Sequence, residues 1–128
     1  MKILLDTNAF LWLSFDESRL SDEGRALVSD TGNELFVSAV TAWEIAVKHQ
    51  LGKLQLSLAP SEFVPKARSA IGAEPLSVDE SAALVLGRLP KIHRDPFDRM
   101  LICQAIDQGM AILTSDSDIR KYPVKSVW

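Results

Sequence analysis

The sequence predicts an α/β fold, a three-layer α/β/α sandwich with a short central parallel sheet. Two observations carry that expectation. The apolar runs Ile3-Leu4-Leu5, Leu35-Phe36-Val37 and Met110-Ala-Ile-Leu113 lack the period-2 alternation of half-exposed strands, as strands covered by helices on both faces do. Segments of helical spacing separate them, and this alternation implies right-handed crossovers between parallel neighbours.

In chain order, the first strand is expected at Lys2 to Leu5. A short buried helix follows at Thr7 to Leu13, where Ala9, Phe10, Leu11, Trp12 and Leu13 are all apolar. Asp16 to Ser21 is a polar turn, and Ser21 caps a helix to Val28 with Asp22 and Glu23 in its first turn. Asp30-Thr-Gly-Asn33 breaks that helix before a second strand at Leu35 to Val37. Ser38 or Thr41 then caps a helix that runs to Leu51 and stops at Gly52. Pro60 to Ala70 reads as a helix despite Pro65, followed by a brief extended piece at Ala73 to Leu76. Ser77 and Glu80 have capping-box spacing, and Ala82, Val85, Leu86 and Leu89 recur on one face, predicting a helix over Ser77 to Leu89. After the basic loop Pro90 to Arg94, Asp95-Pro96 opens a further helix with an N-cap acid and a first-position proline, and Gly109 ends it. Met110 to Thr114 is the third clear strand, Ser115 to Asp118 a polar turn, and Val124 to Val127 a last short strand.

A chain of 128 residues with 47% apolar side chains is expected to be a single domain with a sizeable core. No apolar run approaches the roughly 18 residues of a membrane span, and the first residues lack the features of a signal peptide, so a cytoplasmic protein without a membrane partner is expected. The lone Cys103 excludes an intrachain disulfide or a cysteine-cluster zinc site and reads as a small core residue. A net charge of −3 argues against a basic coating for nucleic acid but leaves room for a local basic patch.

The informative residues are acids on faces that are otherwise apolar. Asp98 shares a helical stripe with Leu101, Ile102 and Ala105, and Glu44 shares one with Val40, Val47 and Leu51. Asp6 and Asp116 follow immediately on the first and third strands. In βα units the carboxyl end of a strand and the amino end of the next helix lie on one side of the sheet, so these four carboxylates converge. So many like charges in a partly desolvated pocket repel, and a divalent cation relieves this; oxygen ligands without His or Cys suit Mg²⁺, with Mn²⁺ able to substitute. Each acid also has a purely structural reading. Asp98 suits a helix first turn, Glu44 can close a capping box with Thr41 or pair with Lys48, Asp116 can form an Asx turn, and Asp6 can cap the following helix.

In this arrangement the sequence resembles the PIN-domain family, and within it the VapC-like ribonuclease toxins of type II toxin-antitoxin systems. Leu5-Asp6-Thr7-Asn8 is similar to the family's first motif and Val40-Thr-Ala-Trp-Glu44-Ile to its second. The third is matched by Asp95-Pro-Phe-Asp98, with Ala105 seven residues beyond the acid, and the fourth by Leu113-Thr114-Ser-Asp116-Ser-Asp118. The resemblance implies a divalent-metal-dependent endoribonuclease acting on RNA, a homodimer, and inhibition by a cognate antitoxin. It also implies that Asp6, Glu44, Asp98 and Asp116 are the catalytic and metal-binding acids and that Asn8, Thr114 and Asp118 support them. Asp95 reads first as an N-cap.

RNA held by an acidic protein requires a local cationic surface. The candidates are Arg94 and Arg99, which flank the helix start carrying Asp98, with Arg88, Lys91, His93, Arg120, Lys121 and Lys125 as further members. His93 reads as a surface histidine rather than a general acid. Two rival readings belong to other classes: a receiver-like phosphoacceptor module, and a catalytically idle PIN domain that only binds protein or RNA. A receiver needs paired acids after the first strand and an aspartate after a middle one, where this chain has Asp6-Thr-Asn8 and Ser38. A haloacid-type phosphatase needs a second aspartate at the position of Asn8.

Overall fold

Ile3, Leu4 and Leu5 are wholly buried, and the strand they form is the middle one of the sheet. The computed structural model describes residues 1–128. β1 (Lys2–Leu5) leads into α1 (Thr7–Phe15) and α2 (Asp22–Ser29), and β2 (Glu34–Ser38) into α3 (Ala39–Gln50) and α4 (Pro60–Ala70). β3 (Glu74–Leu76) is followed by α5 (Glu80–Val85) and α6 (Pro96–Gln108), then by β4 (Ala111–Leu113) and β5 (Ser126–Val127). Every strand pairing is parallel, in the order β3-β2-β1-β4-β5.

The alternation of side chains along β1 divides the core between the two faces of the sheet. Ile3 and Leu5 pack with Leu35, Val37, Phe10, Ile45 and Phe63 on the side covered by α1 to α4. Leu4 and Ile112 pack with Val85, Leu101, Ile102 and Ala105 on the side covered by α5 and α6. The strand order runs outward from β1 in both directions, so the crevice beyond the carboxyl ends of β1 and β4 is a topological switch point, where open α/β sheets bind their ligands.

Local signals set the elements that frame this crevice. Ser38, not Thr41, caps α3 by accepting from the Val40 amide at 2.9 Å. Its hydroxyl also bonds the buried Gln104 carboxamide oxygen at 2.5 Å, and the Gln104 Nε2 donates to the Ser77 carbonyl at 3.1 Å. That second bond explains a departure from expectation. Ser77 does not cap a helix to Leu89: α5 covers only Glu80–Val85, starts after Asp79 without a side-chain cap, and passes into a 3₁₀ turn at Leu86–Arg88. The Gln104 bond engages the Ser77 carbonyl outside any helix, and Gly87 weakens helix continuation by about 1 kcal/mol relative to alanine. Asp95 caps α6 through the Asp98 amide at 2.9 Å, and Gly109 ends it in the left-handed region at φ 65°. No helix is long and apolar enough to cross a membrane.

Candidate active site

The Asp6 amide donates to the Leu113 carbonyl at 3.1 Å, which ties the ends of β1 and β4 together and places Asp6 at the switch point. Asp116 arrives from β4, Asp98 from the first turn of α6, and Glu44 from the second turn of α3. All four carboxylates line one pocket of about 90 Å³, with Asp95 as a fifth acid; Thr7, Asn8 and Lys48 complete a wall without any apolar residue.

Each acid has its own protein partner. Asp6, 4% exposed, caps α1 by accepting from the Ala9 amide at 2.8 Å. Thr114 is fully buried; its hydroxyl accepts from the Asp116 amide at 3.0 Å and bonds the Asp6 carboxylate. Glu44 accepts from the Thr7 hydroxyl at 2.7 Å on one oxygen and pairs with the Lys48 ammonium on the other, while Thr7 also contacts Thr41 at 3.2 Å. Asp98 Oδ2 lies 3.1 Å from His93 Nε2. Asp116 Oδ1 accepts from the amides of Asp118 and Ile119, the Asx turn foreseen as its structural role.

Burial and crowding make ionisation costly here. Burial, reinforced by the charges of Asp98 and Asp116, pushes Asp6 up to about 7 against the bonds from Thr114 and Ala9. Burial likewise lifts Asp98 to about 6, with Asp95, Asp116 and Glu44 adding repulsion that the His93 bond only partly offsets. As arranged, no three His, Cys, Asp or Glu side chains are gathered to hold a metal ion, each acid being turned onto its separate partner. The donor set still fits a hard cation: five carboxylates face one lysine, and two of those acids are driven towards protonation without one.

The remaining expected residues divide. Asn8 is exposed and lines the pocket. The Asp118 side chain lies outside it and pairs with Lys121 at 3.4 Å. Arg94 and Arg99 line a neighbouring cleft of about 450 Å³ with Lys91, Ile92 and His93. Within it, Arg99 is partly committed to structure, donating to the Pro90 carbonyl and the Tyr122 hydroxyl, each at 2.9 Å. Lys125 lies elsewhere, beside Met1 and Met110 at the amino ends of the strands. His93 lines the cleft only in part: its side chain is 14% exposed, and both ring nitrogens are bonded. Sequence reasoning also passed over Thr7. Its signal was a hydroxyl directly after Asp6, at the first position of a helix facing α3.

The model for the PIN domain matches residues 3–125. The chain belongs to the PIN domain family. Among PIN-domain relatives, ribonuclease VapC16 of Mycobacterium tuberculosis is 42% identical over 60 residues, a match spanning 47% of this chain and 43% of that protein. Ribonuclease VapC22 of the same organism is 25% identical over 121 residues, 94% of this chain and 91% of the relative. Among solved structures, VapBC2 from Rickettsia felis, bound to a DNA fragment from its promoter, superimposes with a TM-score of 0.73 at 14% identity, covering 99% of this chain and 98% of that one. That likeness confirms the α/β/α fold expected from the sequence.

Proposed function

We propose that this PIN domain, a single nuclease unit over residues 1–128, is a Mg²⁺- or Mn²⁺-dependent endoribonuclease. It acts in the cytoplasm as the toxin of a toxin-antitoxin pair, as a homodimer held in check by its cognate antitoxin. The observation that carries the catalytic reading is the gathering of Asp6, Glu44, Asp95, Asp98 and Asp116 around one pocket at the switch point of the sheet. Names of relatives support the substrate: the two curated proteins are ribonucleases.

Asp6, Glu44 and Asp98 would hold the cation, and Asp116 a second ion or a water. When bound, such a cation polarises the phosphoryl oxygens of the scissile group and makes water more acidic. The residues of the chain do the rest. Asp6 and Asp98, whose negative charge is least compensated, define where positive charge is drawn. Lys91 and Arg94, exposed on the basic cleft next to Asp98, hold flanking phosphates of a single-stranded segment, with Arg99 buttressing their loop.

The test is incubation of the purified protein with a panel of structured RNAs under Mg²⁺, Mn²⁺ or chelator. Cleavage that stops with chelator and returns with either ion is expected; cleavage that survives chelation refutes the reading. RNA binding without cleavage in any metal would instead identify an idle domain. Co-purification of a small DNA-binding protein encoded beside this gene tests the antitoxin.

A further inference from the structure

The loop before α6 carries a hydrogen-bond relay that ends on Asp98. Tyr122, 4% exposed, presents its hydroxyl oxygen to three donors or acceptors at short range. It accepts from the His93 backbone amide at 3.1 Å and from Arg99 Nη1 at 2.9 Å, and lies 2.8 Å from His93 Nδ1. A phenol oxygen has two acceptor sites and one hydrogen. With both acceptor sites filled by N–H groups that can only donate, the phenol hydrogen goes to Nδ1 at 2.8 Å in preference to the His93 carbonyl oxygen, which lies at 3.5 Å. Nδ1 is then the bare nitrogen of a neutral imidazole, and the ring proton sits on Nε2, 3.1 Å from Asp98 Oδ2.

Resting on the assignment of Asp98 as a cation ligand, we infer that His93 is a positioning residue for Asp98 and that Tyr122 and Arg99 set its tautomer. A neutral Nε2–H donor holds one carboxylate oxygen and fixes the side-chain rotamer. It leaves the other oxygen for the cation. Second partners of this kind typically contribute about ten- to a hundredfold to metal affinity. The arrangement also couples the basic cleft to the acid pocket, since His93 is in the wall of one and in contact with a wall residue of the other.

Two measurements test this. In the metal-free wild type, ¹⁵N NMR of the imidazole is expected to show an unprotonated Nδ1 and a protonated Nε2; the opposite tautomer overturns the inference. Mn²⁺ affinity, read by electron paramagnetic resonance titration, is expected to fall about tenfold or more in His93→Ala, and to recover in His93→Gln, whose amide nitrogen can reach the place of Nε2. Tyr122→Phe, which keeps the ring packing and removes only the hydroxyl, is expected to weaken Mn²⁺ binding by a smaller factor and serves if His93→Ala fails to fold. Undiminished affinity in the folded variants overturns the positioning role alone. If wild-type binding is indifferent to Asp6→Asn, the cation site itself is misassigned and the inference falls with it.

Discussion

On the α3 side of the pocket, Glu44 is buried but compensated, with a hydroxyl on one oxygen and an ammonium on the other. On the β1 and α6 side, Asp6 and Asp98 have amide, hydroxyl and imidazole partners but no lysine or arginine. The first arrangement is an internally balanced ion pair; the second stores repulsion that an external cation relieves. A row of similar acids thus separates into one that braces the pocket and others that create its demand for a ligand.

Substitution breaks this contrast most sharply. Asp6→Asn and Asp98→Asn are each expected to lower RNA cleavage by a factor on the order of a thousand, since several kcal/mol of cation-derived stabilisation is lost. The metal-free protein should be as stable as the wild type or more so in thermal melts, because asparagine still caps α1 at position 6. Glu44→Gln should also be inactive, but without a gain in stability, as it leaves Lys48 unpaired. Loss of stability in both aspartate variants would erase the contrast.

The next effect is in the pH dependence of the metal-free protein. Asp6 titrates near 7 when folded and at 3.8 when unfolded, so between these values the folded state binds more protons. Stability must therefore fall as pH rises from about 4 to about 7, by an amount on the order of a few kcal/mol. Urea titrations at pH 5 and pH 8 measure it, and Asp6→Asn should make the profile shallower, the remaining slope coming from Asp98, which is lifted to about 6. A wild-type profile already flat would deny the stored repulsion.

On the balanced side the effects are smaller. Thr7→Val removes the hydroxyl from a buried carboxylate and should cost about 1–2 kcal/mol in chemical denaturation. Lys48→Met removes the one lysine facing five carboxylates and leaves the buried Glu44 without its ion pair, and should also cost about 1–2 kcal/mol, held down by the 44% exposure of the lysine. Smallest of all is Ser77→Ala, expected to stay within about 0.5 kcal/mol since that side chain caps no helix. A loss near 1 kcal/mol would show that the capping box forms after all.

What the sequence made legible follows from the range of the interactions involved. The buried strands, the Ser21 and Asp95 caps and the Gly109 stop are written in a few adjacent residues, and the structure has them at those positions. Parallel pairing brings strand-end acids together, so the gathering of Asp6, Glu44, Asp98 and Asp116 could be anticipated without knowing the strand order. The partners that give each acid its character could not. Thr7 meets Glu44 across 37 residues and His93 meets Tyr122 across 29, and no local spacing encodes either contact. The Ser77 helix failed for the same reason: a local capping pattern lost to a bond from Gln104, 27 residues away.

That glutamine has a consequence for motion. Its carboxamide links the β2–α3 junction, the segment after β3 and the middle of α6 at one buried point, so α6 cannot detach without stranding polar groups on both of its neighbours. Opening of the helix is therefore expected to be all-or-none: the amides of Leu101 to Ala105, all buried, should exchange their hydrogens with solvent only on global unfolding, which hydrogen-exchange measurements across a denaturant series would read.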